Sequence, residues 1–102
     1  MEFKRGNTYT LQVQINDINV NDISKIVFKF NNVQKEWERN KPETDVVLQQ
    51  DGTFIVKLSQ KETLTLYNEV NYEVAVKFTD NSVKRSKVKN TPSLETIIRE
   101  EI

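Results

Sequence analysis

The chain contains neither cysteine nor histidine. Without a thiol there are no disulfides, no thiolate nucleophiles and no thiolate metal sites. Without an imidazole the commonest general base and the commonest transition-metal ligand are missing. Ser-His-Asp catalysis, Cys-His catalysis and typical zinc centres are therefore excluded. Carboxylates remain, and they fall in pairs: Asp17 with Asp22, Glu36 with Glu38, and Glu43 with Asp45. Two carboxylates hydrolyse glycosides when one has a raised pKa and both flank a sugar-sized cleft. A calcium loop needs several oxygen ligands at short spacing, and Asp17 to Asp22 lacks the Gly and the closing Glu of an EF-hand loop. Solvated loop charge is the plainer reading of all three pairs. The expectation is a non-enzyme with no catalytic residue, no metal site and no cofactor.

Two further features could bind. Lys84, Arg85, Lys87 and Lys89 form the densest charge cluster. They read either as a phosphate-binding strip or as an edge strand whose cations deter strand addition, and the edge strand is preferred. No Gly-rich loop or set of stacking aromatics accompanies them, as a single-strand binder would require. The 15 basic and 15 acidic residues balance, whereas nucleic-acid binders usually carry a basic excess. Trp37, the only tryptophan, could offer a flat platform to a sugar or pack in a core; packing is preferred. No small-molecule site is expected.

The elements that would position these residues are mostly strands. Tyr9, Leu11, Val13 and Ile15 alternate with polar residues, as do Ile26, Phe28 and Phe30, then Phe54, Val56 and Leu58, then Tyr72, Val74, Val76 and Phe78. Period-two alternation marks half-buried strands. Val33, Lys35 and Trp37 continue the second ribbon beyond Asn31-Asn32. Asp51-Gly52 between Val46–Leu48 and Phe54–Leu58 is a hairpin signal. Gly and Pro number two each, but Asn can take the positive-φ turn positions that Gly usually fills. Ser59 with Glu62 forms a capping box ahead of Leu64 and Leu66, which predicts a short crossover helix. Pro92 reads as the end of the last strand. Leu94, Ile97, Ile98 and Ile102 then fit a short C-terminal helix with an apolar stripe.

The expected fold is mostly β: an immunoglobulin-like antiparallel β-sandwich of six to seven strands with a short crossover helix and a short C-terminal helix. Residues 1–102 form one domain, with 90–102 as the helix. A helix of that length needs a surface to cover. Its stripe of Leu94, Ile97, Ile98 and Ile102 is thus a candidate partner contact, closing its own sandwich, docking on a neighbouring subunit or leading into a further module.

No apolar run approaches the length that crosses a bilayer, and the start, Met1 to Gly6, lacks the apolar segment of a signal peptide. The order of turns resembles a known family. Arg5-Gly6-Asn7-Thr8 leads into a strand, Asp51-Gly52-Thr53 leads through Leu58-Ser59-Gln60-Lys61-Glu62-Thr63, and Asn71-Tyr72 leads through Val76 to Asp80-Asn81. This resembles the N-terminal β-sandwich domain of phage baseplate upper proteins and related tail proteins of phages of Gram-positive hosts. The likeness spans about Arg5 to Lys89. Two places depart from it: Asp80-Asn81-Ser82 stands where an Asp-Gly turn is usual, and Asn68-Glu69-Val70 where Pro-Gly is usual. The resemblance implies a non-catalytic structural subunit that contacts other phage proteins or itself, in the virion or the cytoplasm of the bacterial host. It carries over no functional residues. The alternatives are a glycan-binding surface module built on Trp37 and a nucleic-acid binder built on the basic stretch 84–89.

Overall fold

Apolar alternation and asparagine turns set the architecture. The computed structural model describes residues 3–15, 17–86, 89–94 and 101, with residues 3 and 89–94 described by their backbone. The strands are β1 (Phe3–Lys4), β2 (Tyr9–Val13), β3 (Ile23–Phe30), β4 (Val33–Glu38), β5 (Val46–Leu48) and β6 (Phe54–Leu58). Helix α1 (Gln60–Leu64) follows, then β7 (Glu69–Phe78), β8 (Val83–Arg85) and β9 (Lys89–Leu94). One sheet has the order β2-β6-β5, and the other β1-β9-β7-β3-β4 with β8 also on β7. All pairings are antiparallel except β1 on β9. With β2, β6 and β5 as strands B, E and D, and β8/β9, β7, β3 and β4 as G, F, C and C′, this is the connectivity of an immunoglobulin-type sandwich.

The core lies where the two sheets face. Ile26, Phe28 and Phe30 of β3 and Val70 and Val76 of β7 are buried opposite Phe54, Val56 and Leu58 of β6. Phe54 is at the centre, 6.1 Å from the Phe28 ring and 5.5 Å edge-on from the Trp37 ring. Such tilted pairs add to simple area burial.

Asparagine does replace glycine in the turns. Asn31, Asn40, Asn68 and Asn81 have positive φ, as does Asp17. Asn68 and Asn81 fall at the two places where the family-like turns lack their glycine. In the β5–β6 hairpin Gly52 has φ +89, and its N–H donates to Gln49 O. The capping box is also present: Ser59 Oγ accepts from the Glu62 N–H, and the Glu62 carboxylate accepts from the Ser59 N–H.

The end of the chain differs from expectation. Residues 89–94 form a strand, not the start of a helix, and Pro92 lies within it, opposite Glu69. The ladder explains why it is tolerated. Glu69 O accepts from Asn31 Nδ2, and Asn71 N–H donates to Asn31 Oδ1, so both residues turn their backbone groups toward β3. Glu69–Pro92 is therefore a non-hydrogen-bonded pair of the β7–β9 ladder, so the missing N–H of proline takes no bond from β7. Ile97, Ile98 and Ile102 lie outside the described residues. The basic stretch is also divided: β8 ends at Arg85, and Ser86 makes a local irregularity. Its N–H donates to Val74 O while its Oγ, not its backbone, accepts from Val74 N–H.

Candidate functional site

The carboxylates of the second and third pairs, Glu36 with Glu38 and Glu43 with Asp45, are held in structural contacts. Glu38 lies beside Lys41 and Lys25, 2.5 and 4.0 Å away, and the Lys41 hydrogen bond holds its carboxyl below the ordinary range. A glycosidase acid needs the opposite shift. Glu43 Oε2 accepts from Trp37 Nε1 at 2.9 Å and from Leu48 N–H at 2.7 Å. Asp45 binds Lys35. Among the described residues no group of three or more acidic side chains could hold a metal ion.

Trp37 is 8 % exposed. Its indole packs on Phe54, and the Arg39 guanidinium lies 5.4 Å from its ring centre. At that exposure the ring offers little open face for a sugar to stack on, which favours packing as its role. The expected alternation along β4 points Val33, Lys35 and Trp37 inward together.

That alternation buries a lysine. The Lys35 side chain is 6 % exposed, with Nζ 2.7 Å from Asp45 Oδ2 and 2.6 Å from Glu62 Oε2. Burial alone would lower its pKa, but the bonds to Asp45 and Glu62 and their charges outweigh this and raise it. Burial likewise opposes ionisation of Glu62, and the Lys35 and Ser59 hydrogen bonds overcome it, so its pKa is lowered. A lysine held protonated is neither nucleophile nor base. The cluster ties β4 to α1 across one end of the sandwich.

A second tie joins the segments that carry the family resemblance. Arg5, 3 % exposed, donates from Nε and Nη2 to Leu64 O at 3.1 and 2.6 Å, and its guanidinium stacks 3.8 Å from the Tyr67 ring. Thr63 is fully buried; its Oγ1 accepts from Gly6 N–H at 3.0 Å and donates to Asn7 O at 2.8 Å. The Arg5-Gly6-Asn7 start and the Glu62-Thr63 segment are thus two halves of one latch.

What stands open is the side of the sandwich where three strands face a wider sheet. A cleft of about 520 Å³ lies between Leu11 and Val13 of β2 on one wall and Phe28, Phe30, Tyr72 and Val74 on the other. A second hollow of about 360 Å³ shares Val13, Tyr72 and Val74 and continues to Lys84 and Arg85. Both cations are exposed, and Arg85 Nη1 lies 3.5 Å from Glu73. Strand β2 is the last of its sheet. Its free groups can be identified. Lys57 N–H donates to Asp45 O, toward β5, so the alternate residues Val56 and Leu58 turn to β2. They oppose Leu11 and Tyr9. The backbone groups of Tyr9, Leu11 and Val13 therefore face β6, and those of Thr10 and Gln12 face outward.

This edge differs from the others. Strand β4 carries Lys35, Glu36 and Glu38, β8 carries Lys84 and Arg85, β5 has three residues and β1 has two. Charge and shortness protect such edges. β2 has five residues, Tyr-Thr-Leu-Gln-Val, and none is charged. The signal was in the sequence: no residue from Gly6 to Asn16 is charged, in a chain where 29% are.

No family model matches the chain, and neither a curated protein nor a solved structure does. Among the described residues no helix is long and apolar enough to cross a membrane.

Proposed function

We propose that this domain is a non-catalytic assembly module of a phage or prophage tail or baseplate, acting through protein–protein contacts. The observation that carries the assembly reading is the uncharged, unprotected edge of β2 above an apolar cleft. Contiguous open apolar surface on a small domain marks an interaction site. The ionisable groups support the same reading, because the Lys35 and Glu38 clusters hold their members in ion pairs rather than in the poised states that catalysis uses. The phage assignment rests on the resemblance of Arg5–Leu11, Asp51–Thr63 and Asn71–Asn81 to baseplate upper proteins.

Its test is location. Particles are purified from the host that encodes the chain and labelled with a gold-coupled antibody against it. Label at the tail end of the particle is the expected result. Particles that lack the chain overturn the phage assignment.

A further inference from the structure

Strand β2 presents four backbone groups to an open edge: the N–H and C=O of Thr10 and of Gln12. Among the described residues no strand lies beyond them. Beneath that edge the wall of β7 continues past β2, through Val74 to Lys84 and Arg85 of β8. In immunoglobulin-type sandwiches a further strand, A, can belong to the sheet that here holds β2, β6 and β5, but the strand that precedes β2 in this chain, β1, pairs with β9 in the other sheet. The overhang leaves a seat for one strand.

Building on the assembly reading, we infer that this seat takes one extended segment of another protein, laid antiparallel on β2. The segment is apolar at alternate positions and acidic at its N-terminal end. Strand addition supplies affinity through main-chain bonds, and side-chain pockets supply specificity. Paired with Thr10 and Gln12, the incoming strand makes narrow hydrogen-bonded pairs on both. Its residue opposite Leu11 points, as Leu11 does, into the cleft over Tyr72 and Val74. An antiparallel segment brings its N-terminal end to Val13, beside Lys84, which shares the cleft face of Val76; there a carboxylate meets an ammonium, while Arg85 lies on the other face with Glu73.

The same end of β2 chooses between occupants. A second copy paired antiparallel through β2 would lay its own Tyr9 end, uncharged back to Gly6, beside Val13, and would offer Lys84 no carboxylate. A strand acidic at its N-terminal end does.

The test uses the full chain, isotope-labelled, and a capped peptide of sequence Glu-Glu-Val-Thr-Val-Thr-Val. Binding is followed by amide shifts, and sedimentation reports the oligomeric state. The peptide is expected to shift and protect the Thr10 and Gln12 amides. A peptide with two lysines in place of its glutamates is expected to bind about tenfold more weakly. The Gln12→Pro variant removes an edge donor that β6 does not use, so it stays folded and loses binding. Lys84→Glu reverses the preference between the two peptides.

Three results overturn the inference. One is the absence of shifts at Thr10 and Gln12, or shifts that Gln12→Pro leaves intact. Another is a dimer abolished by Gln12→Pro, which gives the seat to a second copy. The third is a monomer whose Thr10 and Gln12 amides are already protected, which gives the seat to the chain's own residues. A chain that refuses the peptide but labels the phage particle loses this inference and keeps the assembly reading.

Discussion

Lys35 Nζ lies 2.6 Å from Glu62 Oε2, and that single contact joins strand β4 to the capping box of α1. Glu62 serves two roles at once: it caps the helix through the Ser59 N–H and neutralises a buried ammonium. Its lowered pKa makes its contribution to stability present above the ordinary value of 4.5, and lost as pH falls through the folded value. The raised pKa of Lys35 makes its contribution present below the ordinary value of 10.5, and lost as pH rises through the folded value. Stability should therefore be level between those limits and fall on both sides.

Lys35→Met keeps the buried stem and removes the charge. Asp45 is 58% exposed and Glu62 28%, so both can relax into water, and the cost is about 1–2 kcal/mol rather than that of a fully buried pair. Urea unfolding at neutral pH measures it. Repeating the titration in acid should show a shallower pH dependence in the variant. An unchanged urea midpoint would show that the contact contributes nothing.

The buried hydroxyl of Thr63 should matter more than its size. Thr63→Val fills nearly the same volume but strands the Gly6 N–H and the Asn7 carbonyl. Gly6 is half-buried and Asn7 exposed, so water takes up part of the loss and the cost is about 1 kcal/mol. The loss should appear in thermal unfolding, together with faster exchange of the Gly6 amide. Exchange at Gly6 as slow as in the parent would mean that another acceptor holds that amide.

Much of this architecture was legible because it is written in local pattern. Tyr72 to Phe78 alternates cleanly and forms β7; Ser59 and Glu62 announce the capping box; Asp51-Gly52 announces the hairpin. The end of the chain misled for a physical reason. Pro92 is a strand breaker only where its N–H is needed, and that depends on which way Glu69 turns its backbone, a fact held by the pairing with Asn31 and invisible locally. Lys35 reads as an exposed polar residue until β5 and α1 bring Asp45 and Glu62 to it. The β2 edge is likewise a property of topology: Thr10 and Gln12 become an open edge only because, among the described residues, no further strand of that sheet lies beyond them. Its uncharged stretch could have prompted the question but could not say which strand would be last.

The asparagine turns allow a paired prediction. Asn81 has φ +71 at a position where the resemblance would place glycine. Asn81→Gly relieves the left-handed strain at the expense of unfolded-state entropy, for a net gain of a few tenths of a kcal/mol, roughly zero to 0.5. Asn31 has φ 52, but its side chain accepts from Asn71 N–H at 2.8 Å and donates to Glu69 O at 3.3 Å. Asn31→Gly gains the same relief and loses both bonds, so it should destabilise by about 1 kcal/mol. Opposite signs at two asparagines of similar φ are the expected result in chemical denaturation. Equal effects would show that the Asn31 bonds carry no weight.

Trp37 offers an optical test of the packing. At 8 % exposure, edge-on to Phe54 and bonded to Glu43, the indole should emit toward the blue and resist acrylamide quenching. Soluble glycans should leave the emission unchanged, because so little of the ring is exposed for a sugar to stack on. Glu43→Gln keeps an oxygen acceptor but loses the charge-assisted bonds to Trp37 and Leu48 N–H, costing about 1 kcal/mol. The variant should still emit toward the blue, since burial by Phe54 rather than the carboxylate keeps water away. A parent protein emitting like free indole in water, or one quenched by a glycan, would place the ring outside the core and return Trp37 to the list of binding residues.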